Sequence, residues 1–105
     1  MENKLILNLR LEVEDQKKIL SLMGLVLRKL RQLEASNIKV EYFELRLHRL
    51  SQLSRNKEAY MKIDANHRTF TDSQISSEWD DAILKPCERL RQRFLQSEKK
   101  VLSEV

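Results

Sequence analysis

Glycine and proline occur once each in the 105 residues, as Gly24 and Pro86. So little turn chemistry argues against an all-β fold of many short strands. Cysteine also occurs once, as Cys87, which excludes a disulfide within the chain and points to a reducing compartment. Aromatic residues make up only 6% of the chain, and no aromatic-rich strand stands out as a reader of bases. No run approaches the roughly 20 apolar residues of a membrane span. The N-terminus has no apolar stretch of the kind a signal peptide needs. A cytoplasmic protein with no membrane contact is expected. Gly-rich phosphate loops, zinc spacings and nucleophile elbows are all missing. No catalytic residue, metal ligand or cofactor is assigned, and a protein without enzymatic activity is expected.

What the chain does contain is charge and leucine. Charged residues make up 34% and hydrophobic residues 41%, enough apolar surface for folding and the composition of long helices. Its length suits one domain with one core, and residues 1–105 are read as a single unit. The net charge of +4 permits an acidic partner without demanding one.

The most apolar stretch is Ile19 to Leu33. Leu20, Met23, Leu27 and Leu30 continue a four-three spacing begun by Leu9, Val13 and Gln16, as in a packed helix seam. On that reading Leu22 and Leu25 lie outside the seam. Gly24 costs about 1 kcal/mol of helix propensity and either permits a close neighbour or is simply tolerated. Residues 4–14 alternate apolar and polar as a strand would, yet nothing separates them from the following helix. One helix over residues 3–35 is expected, with an N-terminal strand as the alternative.

Ala35-Ser36-Asn37 reads as a turn. Val40, Phe43, Leu47 and Leu50 then suggest a second helix, although Ile38 to Tyr42 keeps some strand character. Phe70-Thr71-Asp72-Ser73-Gln74-Ile75 fits a capping box with a hydrophobic staple, with Thr71 as N-cap. Ala65 to Thr69 before it reads as a loop or frayed end. A third helix follows, with Ile75, Trp79, Ile83, Leu90, Phe94 and Val101 on its apolar face and a kink at Pro86. Residues 97–105 should fray. The expected fold is all-α: a long helical hairpin with a third, proline-kinked helix, forming a three-helix bundle of coiled-coil type.

Function is read from surfaces. His48 lies beside an apolar stripe and is read as a boundary residue. Asp64 and His67, one helical turn apart, are too few ligands for a helical metal site. A thiolate at Cys87 would need an activating neighbour, and a packed core thiol is the simpler reading. Leu22 and Leu25, with Val26 beside them, are assigned to an oligomer interface, because one helix that is apolar nearly all round needs more cover than two others can supply. A homodimer is expected, acting as a protein–protein interaction module such as an adaptor, chaperone, inhibitor or small subunit. Arg89, Arg91, Arg93, Arg46 and Arg49 are the candidate partner or phosphate contacts, since arginine forks suit carboxylates and phosphates. The alternative function is a helical nucleic-acid-binding protein that contacts backbone phosphates.

Overall fold

Alternation, with a period of two, governs much of the chain. Leu7, Leu9 and Leu11 face one way, and so do Phe43, Leu45 and Leu47, and Ala59, Met61, Ile63 and Ala65; the residues between them face the other way. The computed structural model of the protein describes residues 5–51 and 55–103, with side chains through residue 98. Its elements are β1 (Ile6–Leu11), α1 (Gln16–Ala35), β2 (Val40–Arg49), β3 (Lys57–Ala65), β4 (Arg68–Ser76) and α2 (Trp79–Ser103). The strands form one sheet in the order β1-β2-β3-β4. β1 and β2 are parallel, with α1 as the crossover that parallel pairing requires. β2, β3 and β4 form an antiparallel meander.

The fold is therefore α/β rather than an all-α helical bundle or coiled coil. The strand Ile6–Leu11 lies within the stretch left ambiguous, so the N-terminal alternative is the one the structure adopts. The second expected helix is two strands. Phe43 and Leu47 are four apart, a spacing that suits a helix and a strand face equally; Leu45 between them decides for the strand, where all three point into the core. A register shift between Val40 and Tyr42 lets Val40 and Phe43 both be buried despite their odd spacing. Thr71 is not a helix cap. It lies in β4 opposite Lys62, and the helix begins only at Trp79.

The turns use residues other than glycine. The β3–β4 hairpin turns on Asn66 and His67, at φ 51° and 63°, the two positive values of a type I′ turn. Asn37, at φ 63°, closes α1. Asp15 starts that helix, its Oδ1 accepting the backbone N–H of Lys17 at 3.0 Å.

Both helices cover one face of the sheet. Because each follows a strand of the same direction, α1 and α2 run parallel. Lys18 of α1 pairs with Asp80 at the start of α2, and Arg91 Nε reaches Ser36 Oγ at 3.4 Å just past the end of α1. Leu22, Leu25, Val26, Leu30 and Leu33 form the buried face of α1. In α2 it is Trp79, Ile83, Cys87, Leu90 and Phe94. Of the expected stripe, Trp79, Ile83, Leu90 and Phe94 are there, Ile75 is instead an exposed residue of β4, and the side chain of Val101 lies outside the described ones. Pro86 sits inside the helix without ending it. No helix among the described residues is long and apolar enough to cross a membrane.

Candidate functional site

The two faces of the molecule differ in charge. On the uncovered face of the sheet, β1 and β2 contribute Asn8, Arg10, Tyr42, Glu44 and Arg46, and β3 contributes Tyr60 and Lys62. Glu44, Arg46 and Lys62 interact within that face. Glu44 is only 6% exposed although no helix covers it. Tyr42 Oη donates to Glu44 Oε1 at 2.6 Å, Asn8 Nδ2 donates to Tyr42 Oη at 3.1 Å, and Arg46 Nε lies 2.6 Å from Glu44 Oε2. The Tyr42 hydrogen bond, with help from the Arg46 charge and against the cost of burial, holds the Glu44 carboxyl below its ordinary value. Arg46 also lies over the Tyr60 ring and Lys62 over Tyr42. Further along, His48 Nε2 is 3.1 Å from Glu58 Oε1.

The helical layer is different. By sequence, α1 and α2 together hold eleven basic and five acidic residues, a net of +6, against nine basic and eleven acidic elsewhere, a net of −2. Helix α1 is the extreme case, with Lys17, Lys18, Arg28, Lys29 and Arg31 against the single acid Glu34. Arg28 and Arg31 are exposed, and neither has an ion-pair partner among the described residues. Lys29 Nζ donates to a neutral acceptor, Gln32 Oε1, at 3.0 Å. Arg91 of α2 extends toward the same region, shared between Ser36 and Glu88. The acids of α2 are concentrated in its first turn, at Asp80 and Asp81, where the positive end of the helix dipole stabilises them. Those two acids are engaged with Lys18 and Lys85. The positive charge is thus left along the second half of α1 and the adjoining part of α2.

The arginines singled out in the sequence are not one cluster. Arg46 lies on the opposite face, tied to Glu44. Arg49 is exposed at the end of β2. Arg89 is held against β4: its Nε and Nη2 bond both carboxylate oxygens of Asp72, at 2.6 and 3.1 Å, and its remaining donors reach Gln74 and the Ser73 carbonyl. That fork raises the Arg89 pKa further. Arg93 stacks 4.3 Å from the centroid of Phe70 and donates to the Thr71 carbonyl. Beside it, Arg68, Phe70, Arg93, Gln96 and Ser97 line an open groove of about 440 Å³. Only Arg91 belongs to the basic helical surface. Arg28 and Arg31 were not among the five assigned contacts, and the signal that finds them is the scarcity of acids in a 20-residue helix.

Leu22, Leu25 and Val26, assigned to an oligomer interface, lie inside the chain, at 1%, 9% and 4% exposure. Of the expected seam on this helix, Leu20, Leu27 and Met23 face outward instead, at 70%, 48% and 39% exposure, while Leu30 is buried at 6%. Cys87 is buried with its Sγ 3.6 Å from Met61 Sδ, and burial pushes its thiol up to about 12. Among the described residues no three His, Cys, Asp or Glu side chains gather as metal ligands would. The chain matches no family model, and no curated protein matches it.

Proposed function

We propose that the protein is a non-catalytic binding protein whose helical face takes the phosphate backbone of a structured nucleic acid. The observation that carries this reading is the charge of the helical layer, +6 against −2 for the remainder. Overall charge alone would not support it, because +4 is mild. What matters for a polyanion is the local field, and here the positive charge is gathered on one face. Arg28 and Arg31 supply guanidinium forks not already committed to acids, the donors that suit phosphate oxygens. The uncovered sheet face is the poorer candidate, since Arg10, Arg46 and Lys62 share it with Glu44, Glu58 and Asp64.

An electrophoretic binding assay with structured RNA and duplex DNA, at two salt concentrations, tests the proposal. Binding should weaken steeply with salt, because each neutralised phosphate releases a counterion. Arg28→Glu/Arg31→Glu should lower the slope of log affinity against log salt by about 2 and leave the fold intact. Absence of any shift at low salt, or a double variant that binds as tightly as the wild type, contradicts it.

A second reading, a protein–protein interaction module, is favoured by the exposed Leu20, Met23 and Leu27. An apolar stripe of this kind on a monomer marks an interface. Arg31 follows Leu27 by one helical turn, so the two readings share that side of α1 and differ in which of its residues make the contact.

A further inference from the structure

The two edges of the sheet are treated differently. At the β4 edge, Arg93 Nη1 donates to the Thr71 carbonyl at 3.1 Å and Arg89 Nη2 to the Ser73 carbonyl at 2.9 Å. Helix α2 thereby occupies backbone acceptors that another strand would use, a recognised way of blunting an edge. Among the described residues, the β1 edge has no such cover. Glu12 N donates to Leu47 O at 2.9 Å, so the even-numbered residues of β1 direct their backbone groups to β2. Those of Leu7, Leu9 and Leu11 then point away from the sheet. No proline or bulge interrupts β1, and Leu5, Ile6 and Leu7 are 36%, 60% and 44% exposed.

The helix above this edge continues the same apolar surface. Lys18 and Ser36 mark the flank of α1 that faces α2. At 100° per residue, Leu20, Met23 and Leu27 lie on the opposite flank. Since α2 covers β3 and β4 while α1 contacts β2, that opposite flank looks out over β1. Gly24 is exposed there as well, and a side chain at its position would meet no atom within 4 Å, so no element of this chain makes use of its small size.

We infer that the occupant of this edge is a second copy of the chain, paired antiparallel through β1 with Leu9 on the two-fold axis. The strand is self-complementary in that register. On the helix side, Leu9 meets Leu9, Leu7 meets Leu11 and Leu5 meets Val13. On the other side, Asn8 meets Arg10 and Ile6 meets Glu12. No like charges are opposed, and all the helix-side pairs are apolar. The register also matches outward-pointing backbone groups with outward-pointing ones, so Leu7, Leu9 and Leu11 all gain ladder bonds. The result is one eight-stranded sheet, with the exposed flanks of the two α1 helices turned toward each other over the seam. A closed two-fold contact of this kind consumes both open edges and does not propagate. It does not rest on the nucleic-acid reading.

Sedimentation equilibrium on the wild type and on Leu7→Pro tests the inference. Proline at residue 7 removes an outward N–H and none of the bonds to β2. The wild type should be a dimer and Leu7→Pro a monomer with an unchanged circular dichroism spectrum. Should that variant fail to fold, Leu20→Lys/Leu27→Lys, at exposed helix positions, should also shift the equilibrium to monomer. The register is read separately by Asn8→Cys/Arg10→Cys, at a closely spaced pair of the proposed ladder. Oxidation should give a covalent dimer, with Cys87 buried and out of reach. A wild type that is monomeric at high micromolar concentration overturns the inference. So does a dimer that survives the helix substitutions and forms no cross-link.

Discussion

Glu44 is the residue whose placement is least expected of its type. A carboxylate on the open side of a sheet is ordinarily solvated, yet this one is enclosed by Tyr42, Arg46 and Lys62 and bonded by the first two. Because its pKa is held below the ordinary 4.5, its contribution to stability is fully present above that value and is lost as pH falls through the folded-state pKa. Glu44→Gln should therefore destabilise the protein at neutral pH, since an amide cannot accept equally strong bonds from Tyr42 and Arg46. The gap between wild type and variant should close on acidification below 4.5. Urea midpoints of both proteins on either side of that pH measure it. A gap that stays constant would mean that the charge of Glu44 contributes nothing.

At the scale of elements, Asn66 has the widest reach. Its Oδ1 accepts from the backbone N–H of Lys39 at 3.1 Å, and its Nδ2 donates to the Asn37 carbonyl at 3.2 Å and to Glu98 at 2.8 Å. One side chain thus joins the β3–β4 hairpin, the α1–β2 turn and α2. Asn66→Gly keeps the positive φ but loses these bonds, and should cost about 1–2 kcal/mol in chemical denaturation. Equal stability would show the bonds to be incidental. The break at this turn is legible in the sequence, since Ala65 to Thr69 reads as a loop and Asn and His are among the few residues besides glycine that accept a positive φ. What misleads is spacing: Phe43/Leu47 and Leu9/Val13 suit helical turns as well as strand faces, and that obscured β1 to β3. The capping-box pattern at Thr71 is local and was outweighed by pairing with β3. What could be read directly was the apolar face of α2, where Trp79, Ile83, Leu90 and Phe94 fit no period but the helical one. For α1 the expected helix of residues 3–35 holds only from Gln16 on, and most of its expected seam lies on the wrong side, because apolar residues lie nearly all round it and only the sheet decides which of them are covered. The candidate site was legible in part: basic residues were evident, but which face each one occupies depends on the strand register.

At the scale of the whole molecule, the sheet acts as a partition. Its open side is electrically balanced, its helical side is basic, and its β1 edge is apolar and unpaired. The partition follows from topology: parallel helices on one face place Arg28, Lys29, Arg31 and Arg91 on one side of the sheet, while Arg46 is carried to the other. The central claim is that this helical face is where a nucleic acid binds. The most direct measurement is to titrate a structured RNA into isotopically labelled protein at low salt and follow the backbone amide resonances. Perturbations confined to residues 28–32 of α1 and 85–95 of α2, and reversed by added salt, are the predicted result. Perturbations centred on Asn8, Tyr42, Arg46 and Tyr60, or none at all, would contradict it.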